Sequence, residues 1–489
     1  MTRRTALGAL AAPLLLAQDR QHVERWGVYE VTLSGPRDGN PFVDVRLSAE
    51  FRRADRSVPV DGFYDGDGAY KIRFSPDAEG EWRFATHSNS RELDGRTGSF
   101  VCTPPAAGNH GPVVVRNTHH FGYADGTPYI QIGTTCYAWT HQPDALQDQT
   151  VSTLRAAPFN KLRMCVFPKW YNYNRDEPRL HPIIDRPGFT RFEPLYWRNL
   201  EKRVAQLAAL GIEADLILFH PYDHWGYALM GAEADARYLR YTVARMAAFR
   251  NVWWSVANEW DLVKGKTKSD WDRYFEILQA ADPYGRLRSI HHSRQMYDQS
   301  LPCVTHASIQ GEDFQKIPAW REEWAKPVIF DECKYEGNIP SRWGDLSAQE
   351  MVRRFWLGTV YGGYVGHGET YLDPKDILWW SKGGVLHGQS APRIAFLRSI
   401  LEAGPAEGLA PLRDPYYPAA GKQAEYYLYY LDFHQAAQVD FPAPTEGRFA
   451  VDVIDPWEMT VASAGLFSGR ITAKLPGRPG LALRLRKSG

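Results

Sequence analysis

The middle of this 489-residue chain alternates short apolar segments with amphipathic helical patterns, from about Pro112 to Gly404. Strands that are apolar on both faces and separated by helices belong to parallel sheets. Eight such units within about 290 residues predict an α/β fold, a (β/α)8 TIM barrel, with an open doubly wound sheet as the alternative. The eight predicted strands are Tyr129–Trp139, Lys161–Pro168, Glu213–Pro221, Val252–Trp260, Arg286–Ser293, Cys303–Gly311, Pro327–Tyr335 and Tyr364–Tyr371.

Helix signals lie between several of these strands. Ser347 precedes Glu350 by three residues, which is a capping-box signature for the start of a helix. Two other segments carry apolar residues on one helical face: Leu200, Val204 and Leu207 in the first, and Ile394, Leu397 and Leu401 in the second. We expect these helices to cover the outside of the barrel.

The two ends of the chain have a different pattern, with short alternating strands separated by Gly, Pro, Asp and Asn. From about Glu24 to Pro105 this spacing predicts an Ig-like β-sandwich, and the segment Thr103–Gly111 predicts a linker. After Gly404 the pattern predicts a small antiparallel β-domain. The predicted organisation is a β-sandwich over 21–105, a barrel over 106–404 and a C-terminal β-domain over 405–489.

Residues 1–20 have the pattern of an export signal. Arg3 and Arg4 precede an apolar run that ends near Ala17, which is typical of a twin-arginine signal peptide. The run is too short to remain as a membrane-spanning helix. We therefore expect a secreted or periplasmic protein without a membrane span, and a disordered N-terminal tail is the alternative.

Charge and cysteine content exclude several classes of function. Lys and Arg together number 57, as do Asp and Glu, so no net charge attracts nucleic acid or an anionic membrane. The five cysteines form no CxxC pair, so neither a zinc knuckle nor a disulfide framework is indicated. Metal binding by histidines at the strand ends is an alternative, but we expect no metal and no cofactor.

Two glutamates lie at the ends of predicted barrel strands. Asn258 and Glu259 end the fourth strand, in NVWWSVANEWD, and Glu332 ends the seventh, in VIFDECKYEG. Catalytic groups of barrel enzymes lie at the carboxyl ends of the strands, where the loops form a cleft. Strands four and seven of a closed ring of eight can face each other across that cleft, as a two-carboxylate mechanism requires.

With this Asn-Glu pair on strand four and a Glu on strand seven, the barrel resembles the large clan of retaining (β/α)8 glycoside hydrolases. The whole chain also resembles a bacterial group of glycoside hydrolases with an N-terminal β-sandwich and a C-terminal β-domain, known mainly as domains of unknown function. The resemblance implies that Glu259 is the acid/base, Glu332 is the nucleophile and Asn258 binds the sugar 2-hydroxyl. It also implies that Arg163 keeps the nucleophile ionised. Because side chains alternate along a strand, these roles require an irregular end to strand four.

Polar and aromatic side chains follow several of the other strands. Sugars stack their C–H faces on aromatic rings and bind polar groups through their hydroxyls, so we expect these side chains to bind substrate. A structural role is the alternative for each single histidine or ring. The polar candidates are His220, Asp223, His292, His306, His367 and Glu369, and the aromatic candidates are Tyr137, Trp139, Trp170, Trp225 and Tyr335.

These observations predict a retaining glycoside hydrolase that cleaves an oligo- or polysaccharide of plant or microbial origin by double displacement. The carboxyl carbons of Glu259 and Glu332 should then lie about 5 to 5.5 Å apart. We expect Glu259 to be the more desolvated carboxyl group and Glu332 to accept a hydrogen bond from Arg163. The alternatives are a carbohydrate-binding protein with a non-catalytic barrel and an inverting hydrolase that uses other carboxylates, such as Asp223 or Glu369.

Overall fold

The computed structural model describes residues 21–488. The predicted export signal over residues 1–20 lies outside these described residues. Within residues 21–488, none of the helices combines the length and the apolar character that crossing a membrane requires.

The N-terminal domain is a β-sandwich, as predicted. Its seven strands enclose a core of their own that includes Phe51, Ile72, Trp82 and Phe100. A short helix, Pro41–Asp44, precedes the third strand. In the order in which they are hydrogen-bonded, the strands are His22–Glu24, Thr97–Thr103, Gly80–Ser88, Leu47–Arg53, Arg56–Tyr64, Ala69–Phe74 and Tyr29–Ser34.

The central domain is an eight-stranded parallel barrel, which confirms the predicted fold class. Its strands pair in the order five, four, three, two, one, eight, seven and six, and a single bridge between His291 and Ser308 joins strands five and six. Strands one to eight are Gly133–Thr135, Lys161–Cys165, Glu213–Phe219, Val252–Ala257, Arg288–Ser289, Ala307–Gln310, Val328–Glu332 and Tyr364–His367.

Helices follow every strand of the barrel except strand five. Residues 290–306, all of them described, contain no helix. The main barrel helices are Asp144–Ala156, Pro194–Ala209, Ala232–Met246, Lys268–Ala281, Ile317–Trp324, Ala348–Val360 and Ser390–Glu402, with a short helix at Trp379–Lys382. Single 3₁₀ turns lie at Trp139–His141, Tyr227–Leu229, Trp260–Leu262 and Phe314–Lys316, and a two-stranded pair joins Glu336–Gly337 to Glu369–Thr370.

A small sheet closes the amino end of the barrel. It contains the strands Val113–Arg116, His120–Tyr123 and Pro128–Tyr129. Phe121 and Tyr129 from this sheet pack against barrel residues that include Trp253. Strand one is shorter than predicted: Tyr129 belongs to this sheet, and strand one itself covers Gly133–Thr135.

The C-terminal domain is antiparallel and has its own apolar core, as predicted. It contacts the barrel through an ion pair between Arg353 and Asp432 at 2.5 Å and through Arg393, which lies 3.6 Å from the ring centroid of Trp457. In sheet order its strands are Ala410–Leu412, Ala419–Lys422, Tyr426–Tyr430, Ala482–Ser488, Arg448–Asp455 and Thr460–Ser468, with a second pair formed by Phe441–Pro442 and Arg470–Ile471.

A network of buried charges joins the β-sandwich to two barrel helices. Arg73, from the strand Ala69–Phe74, donates to Glu201 Oε2 at 2.9 Å. Arg245 donates to Asp65 Oδ1 at 2.8 Å and to Glu201 Oε1 at 2.5 Å. None of these four residues is more than 8% exposed, so the sandwich and the barrel share a buried interface.

Candidate active site

Buried charges fill the barrel below its carboxyl end. Lys161 Nζ lies 2.9 Å from Asp215 Oδ2 and 2.6 Å from Asp331 Oδ1. Burial alone would raise the pKa of Asp331, but the charges of Lys161 and Arg163 hold it below its usual range. Asp331 therefore stays ionised and holds the two cations of strand two in place.

Arg163 connects this network to the end of strand four. Its guanidinium lies 3.1 Å from Asp331 Oδ2 and donates to Asn258 Oδ1 at 3.1 Å and to Ser308 Oγ at 3.2 Å. The structure thus corrects the predicted partner of Arg163, which is Asp331 rather than Glu332. Because side chains alternate along strand seven, Asp331 faces the barrel interior. Arg163 positions Asn258.

A cavity of about 750 Å³ opens above this network, at the carboxyl end of the barrel. Six of the predicted site residues line it: Tyr137, Trp170, Asn258, Glu259, Glu332 and Tyr335. The other lining residues are Lys169, Tyr171, Asn172, Tyr173, Tyr222, Ser293, Gln310, Gly311, Glu312, Lys334, Ser341, Trp343 and Trp380.

The end of strand four is irregular. Strand four stops at Ala257, and Glu259 adopts a left-handed backbone conformation with φ of +48°. That conformation costs a non-glycine residue about 1–2 kcal/mol, and such strain is concentrated at functional sites. It breaks the alternation of side chains, so that the neighbours Asn258 and Glu259 both line the cavity.

Glu332 reaches the cavity from the end of strand seven. The pairing of strands six and seven shifts register at Gln310, and such irregularities re-aim side chains near active sites. The Tyr137 hydroxyl donates to Glu332 Oε1, and His291 Nε2 lies 3.4 Å from the same oxygen. Burial raises the pKa of Glu332 to about 7, and the Tyr335 hydroxyl opposes this shift.

The environments of the two carboxyl groups differ from the expectation. Glu259 is 6% exposed and Glu332 is 9% exposed, so both are buried to a similar extent. His291 is neutral, because burial and the charge of Arg163 hold the pKa of its imidazole well below the usual value. Within residues 21–488, no charged arginine or lysine contacts Glu332 to keep it ionised.

Tyr137 and Asn258 connect the two carboxyl groups. The Tyr137 hydroxyl, which donates to Glu332, also lies 3.2 Å from Asn258 Oδ1. Asn258 Nδ2 in turn donates to Glu259 Oε2 at 3.3 Å. Close contacts between polar groups therefore connect one carboxyl group to the other along the cavity. Two carboxyl groups on either side of one space is the arrangement in which glycosidic bonds are cleaved.

Aromatic rings form much of the remaining cavity wall. The ring centroid of Trp380 lies 4.9 Å from the ring centroid of Trp343, 5.1 Å from that of Tyr171 and 5.8 Å from that of Tyr335. Trp343 is 37% exposed, so part of its surface is open to a ligand. Trp343 and Trp380 were not among the residues predicted from the sequence. The pair Trp379–Trp380, shortly after strand eight, was the signal that could have indicated one of them.

Three predicted site residues lie in the protein interior and do not line the cavity. Trp139 Nε1 contacts Met164 Sδ at 3.4 Å, and His220 Nε2 contacts the backbone oxygen of Phe167 at 3.2 Å. His292 is buried as well. The sequence places these residues near strand ends, but it does not determine which of them turn inward.

Asp223 and Trp225 belong to the loop after strand three. Asp223 accepts the backbone N–H groups of Trp225 at 2.9 Å and of Ala228 at 2.8 Å. The Trp225 indole donates to Glu177 at 3.0 Å. Both predicted residues therefore shape this loop, and Tyr222 from the same loop lines the cavity.

His306 lies at the opposite end of the barrel from the predicted cleft. Strand six begins at Ala307, four residues later than predicted, so His306 precedes the strand. Its ring centroid lies 5.7 Å from that of Phe121 and 5.1 Å from that of Trp253, next to the small sheet that closes the barrel.

His367 and Glu369 lie behind the cavity wall, together with Glu336. The ligand atoms of these three residues lie within 4.8 Å of one another, the one such group of possible metal ligands within the described part of the chain. Both carboxylates accept backbone N–H groups of residues 387–390, at the start of the helix Ser390–Glu402. Negative charge at a helix N-terminus is stabilising, so a structural role explains this group without a metal.

A parallel barrel with two carboxyl groups in one cavity at its carboxyl end is the architecture of the barrel glycoside hydrolases. The comparison with known families agrees with this class. The chain belongs to the family described as "Apiosidase-like, catalytic domain", whose model matches residues 115–390. Two domains of unknown function match on either side, DUF5060 over residues 22–89 and DUF5605 over residues 416–486. The chain is a glycoside hydrolase.

One solved structure is similar over nearly the whole chain. A candidate glycoside hydrolase from Bacteroides vulgatus ATCC 8482 is 41% identical, with a TM-score of 0.91 over 96% of this chain and 100% of its own. A family 5 glycoside hydrolase from the same organism is 15% identical, with a TM-score of 0.60 over 78% of this chain and 94% of its own, and shows the fold alone. No curated protein matches the chain.

Proposed function

We propose that this protein is a retaining glycoside hydrolase in which Glu332 is the nucleophile and Glu259 the acid/base. The observation that carries the proposal is the chain of contacts from Glu332 through Tyr137 and Asn258 to Glu259 in one cavity. The chain places both carboxyl groups in one cavity, and retention requires in addition that they lie about 5 to 5.5 Å apart.

Each residue then has a defined step. Ionised Glu332 attacks the anomeric carbon while the bond to the leaving oxygen breaks, and protonated Glu259 gives its proton to that oxygen. Glu259 next takes a proton from water, and the water oxygen displaces Glu332 from the anomeric carbon. Two inversions at one carbon give net retention.

The alternatives have less support. Neither Asp223 nor Glu369 lines the cavity, as an inverting mechanism would need. Asp223 accepts backbone N–H groups of its own loop, and Glu369 accepts those before a helix. A carbohydrate-binding protein would not need the strained conformation of Glu259. Hydrolysis of a glycoside distinguishes an enzyme from such a protein.

The substrate we propose is a plant or microbial glycan, and its sugar is to be identified by screening. The name of the matching family makes aryl apiosides the first compounds to include. We also propose export by the twin-arginine signal in residues 1–20, which cell fractionation of wild-type and Arg3→Lys/Arg4→Lys variants would test.

Retention is the first testable prediction. The full chain should hydrolyse at least one member of a panel of p-nitrophenyl glycosides, and the sugar released first should keep the anomeric configuration of the substrate. Proton NMR of the anomeric signal during the first turnovers measures this before mutarotation. An inverted first product would contradict the retaining mechanism, and glycan binding without hydrolysis would favour the carbohydrate-binding alternative.

Tyr137→Phe should lower kcat/KM by about 10- to 100-fold, because the variant loses a hydrogen bond to a charged group. The acidic limb of the pH profile should also shift. Glu332 attacks only when ionised, so activity falls as the pH drops through its pKa of about 7. Loss of the Tyr137 hydroxyl removes a donor that stabilises the ionised form, which raises this pKa and moves the limb to higher pH.

Tyr171→Phe is the matched control for this prediction. Its hydroxyl donates to Ser381 Oγ at 2.6 Å rather than to Glu332. The acidic limb of this variant should stay in place. An equal shift in both variants would show that Tyr137 has no particular effect on Glu332.

A further inference from the structure

Lys169 lies in the cavity with its ammonium group among aromatic rings. The residue is 2% exposed. Its Nζ lies 3.4 Å from the ring centroid of Tyr137, 4.4 Å from Tyr222, 4.9 Å from Tyr171 and 5.8 Å from Trp380. Ring faces within about 6 Å attract a cation. These four rings, called the aromatic cage below, therefore hold the ammonium in a defined place.

The aromatic cage contacts the Lys169 ammonium group through ring faces and forms no hydrogen bond with it. An ammonium group has three N–H donors. Within residues 21–488 the Lys169 ammonium group contacts ring faces, and Glu259 favours its charged form. Burial lowers the pKa of Lys169 to about 8, so the group still carries its charge at neutral pH. Because buried polar groups nearly always have hydrogen-bond partners, a molecule in the cavity is expected to provide them.

The charges around the cavity favour a neutral partner. The other lysine that lines the cavity, Lys334, is paired with Glu312 at 2.9 Å. Among the residues that line the cavity, Lys169 is therefore the cation without an ion-pair partner, and Glu259 favours its charged form, so no excess positive charge remains for an acidic sugar. Sugar hydroxyls accept hydrogen bonds from an ammonium group without adding negative charge.

This inference rests on the proposed function. We propose that Lys169 is a sugar-binding residue, which donates hydrogen bonds to hydroxyl oxygens of a neutral sugar ring bound beside Glu259. The aromatic cage fixes the ammonium before the sugar arrives, so little side-chain freedom is lost on binding. Lys169 thereby contributes to specificity, because a sugar that lacks the matching hydroxyl leaves a buried donor unpaired.

The test compares Lys169→Met with the wild-type full chain. The probes are the neutral p-nitrophenyl glycoside that is hydrolysed best, its monodeoxy analogues and the corresponding glycuronide. We expect Lys169→Met to lower kcat/KM for the parent glycoside by about 10- to 100-fold. It should also lose most of the wild-type discrimination against one deoxy analogue, which a merely structural residue would not change.

Lys316→Met is the charge-matched control, since Lys316 is exposed and pairs with Asp313 at 2.7 Å away from the cavity. It should keep the wild-type discrimination. If Lys169→Met does not fold, Lys169→Arg keeps the charge in the aromatic cage but changes the donor geometry. It should then change the discrimination against the same analogue.

Three results would overturn the inference. Unchanged discrimination against every deoxy analogue would remove Lys169 from sugar binding. A wild-type preference for the glycuronide that disappears in Lys169→Met would replace the neutral sugar by an acidic one. If the wild type hydrolyses nothing, its binding to immobilised neutral polysaccharides is measured instead. Loss of this binding in Lys169→Met would support the binding role while the proposed function fails. Absence of binding by the wild type would contradict both.

Discussion

Glu332→Ala should lower turnover of every glycoside by about 10⁴-fold or more, because the variant has lost the group that forms the bond to the anomeric carbon. Truncation leaves space beside Tyr137, which contacts Glu332 in the wild type. Azide or formate can enter that space and attack the anomeric carbon of an activated glycoside. One displacement inverts the carbon, so the glycosyl product should have the inverted configuration, which proton NMR can assign.

Glu312→Ala provides the control for loss of a carboxylate from the same cavity. Glu312 pairs with Lys334 at 2.9 Å and with Arg354 at 2.7 Å. We expect azide to have no effect on its activity. Full activity of Glu332→Ala on an unactivated substrate would refute the assignment of Glu332 as the nucleophile.

Glu259→Ala should lower kcat/KM for an unactivated glycoside by about 10²- to 10⁴-fold, because the leaving oxygen receives no proton. A dinitrophenyl glycoside needs little protonation, so the first step should survive and the glycosyl-enzyme should accumulate as a burst of released phenol. Azide needs no general base and should restore turnover. Its product should have the retained configuration, since the carbon is inverted twice.

The opposite stereochemical outcomes separate the two roles. Lys264→Met, in the chain segment after Glu259, serves as a surface control and should show neither a burst nor azide rescue. An azide product of inverted configuration from Glu259→Ala would instead identify Glu259 as the nucleophile and Glu332 as the acid/base. Equal loss of activity on activated and unactivated glycosides would instead show that Glu259 does not act as the acid.

The barrel could be predicted from sequence because several of its strands are buried on both faces. Every residue of Glu213–Phe219 and of Val252–Ala257 is buried, and such runs are recognisable without knowledge of their neighbours. Strand one was predicted too long, because the pairing of Pro128–Tyr129 with the small sheet depends on tertiary structure. The segment after strand five lacks a helix that the regular alternation had implied.

The candidate site could be predicted only in part. Asn258, Glu259 and Glu332 combine a chemically informative residue type with a strand end, and all three line the cavity. His306 was misplaced because an error of four residues at the start of a strand moves a side chain to the other end of the barrel. The surroundings of Lys169 could not be read from sequence, since its four rings come from four separate segments.

The buried interface between the β-sandwich and the barrel makes each domain depend on the other for its stability. Separation of the two domains would remove Asp65 and Arg73 and leave Arg245 and Glu201 without half of their partners. Breaking a buried ion pair on one side costs about 3–5 kcal/mol, a large part of the stability of an ordinary domain. Genetic recombination that exchanged this sandwich for an unrelated one would thus yield a poorly folding barrel, and the two coding segments are expected to be inherited together.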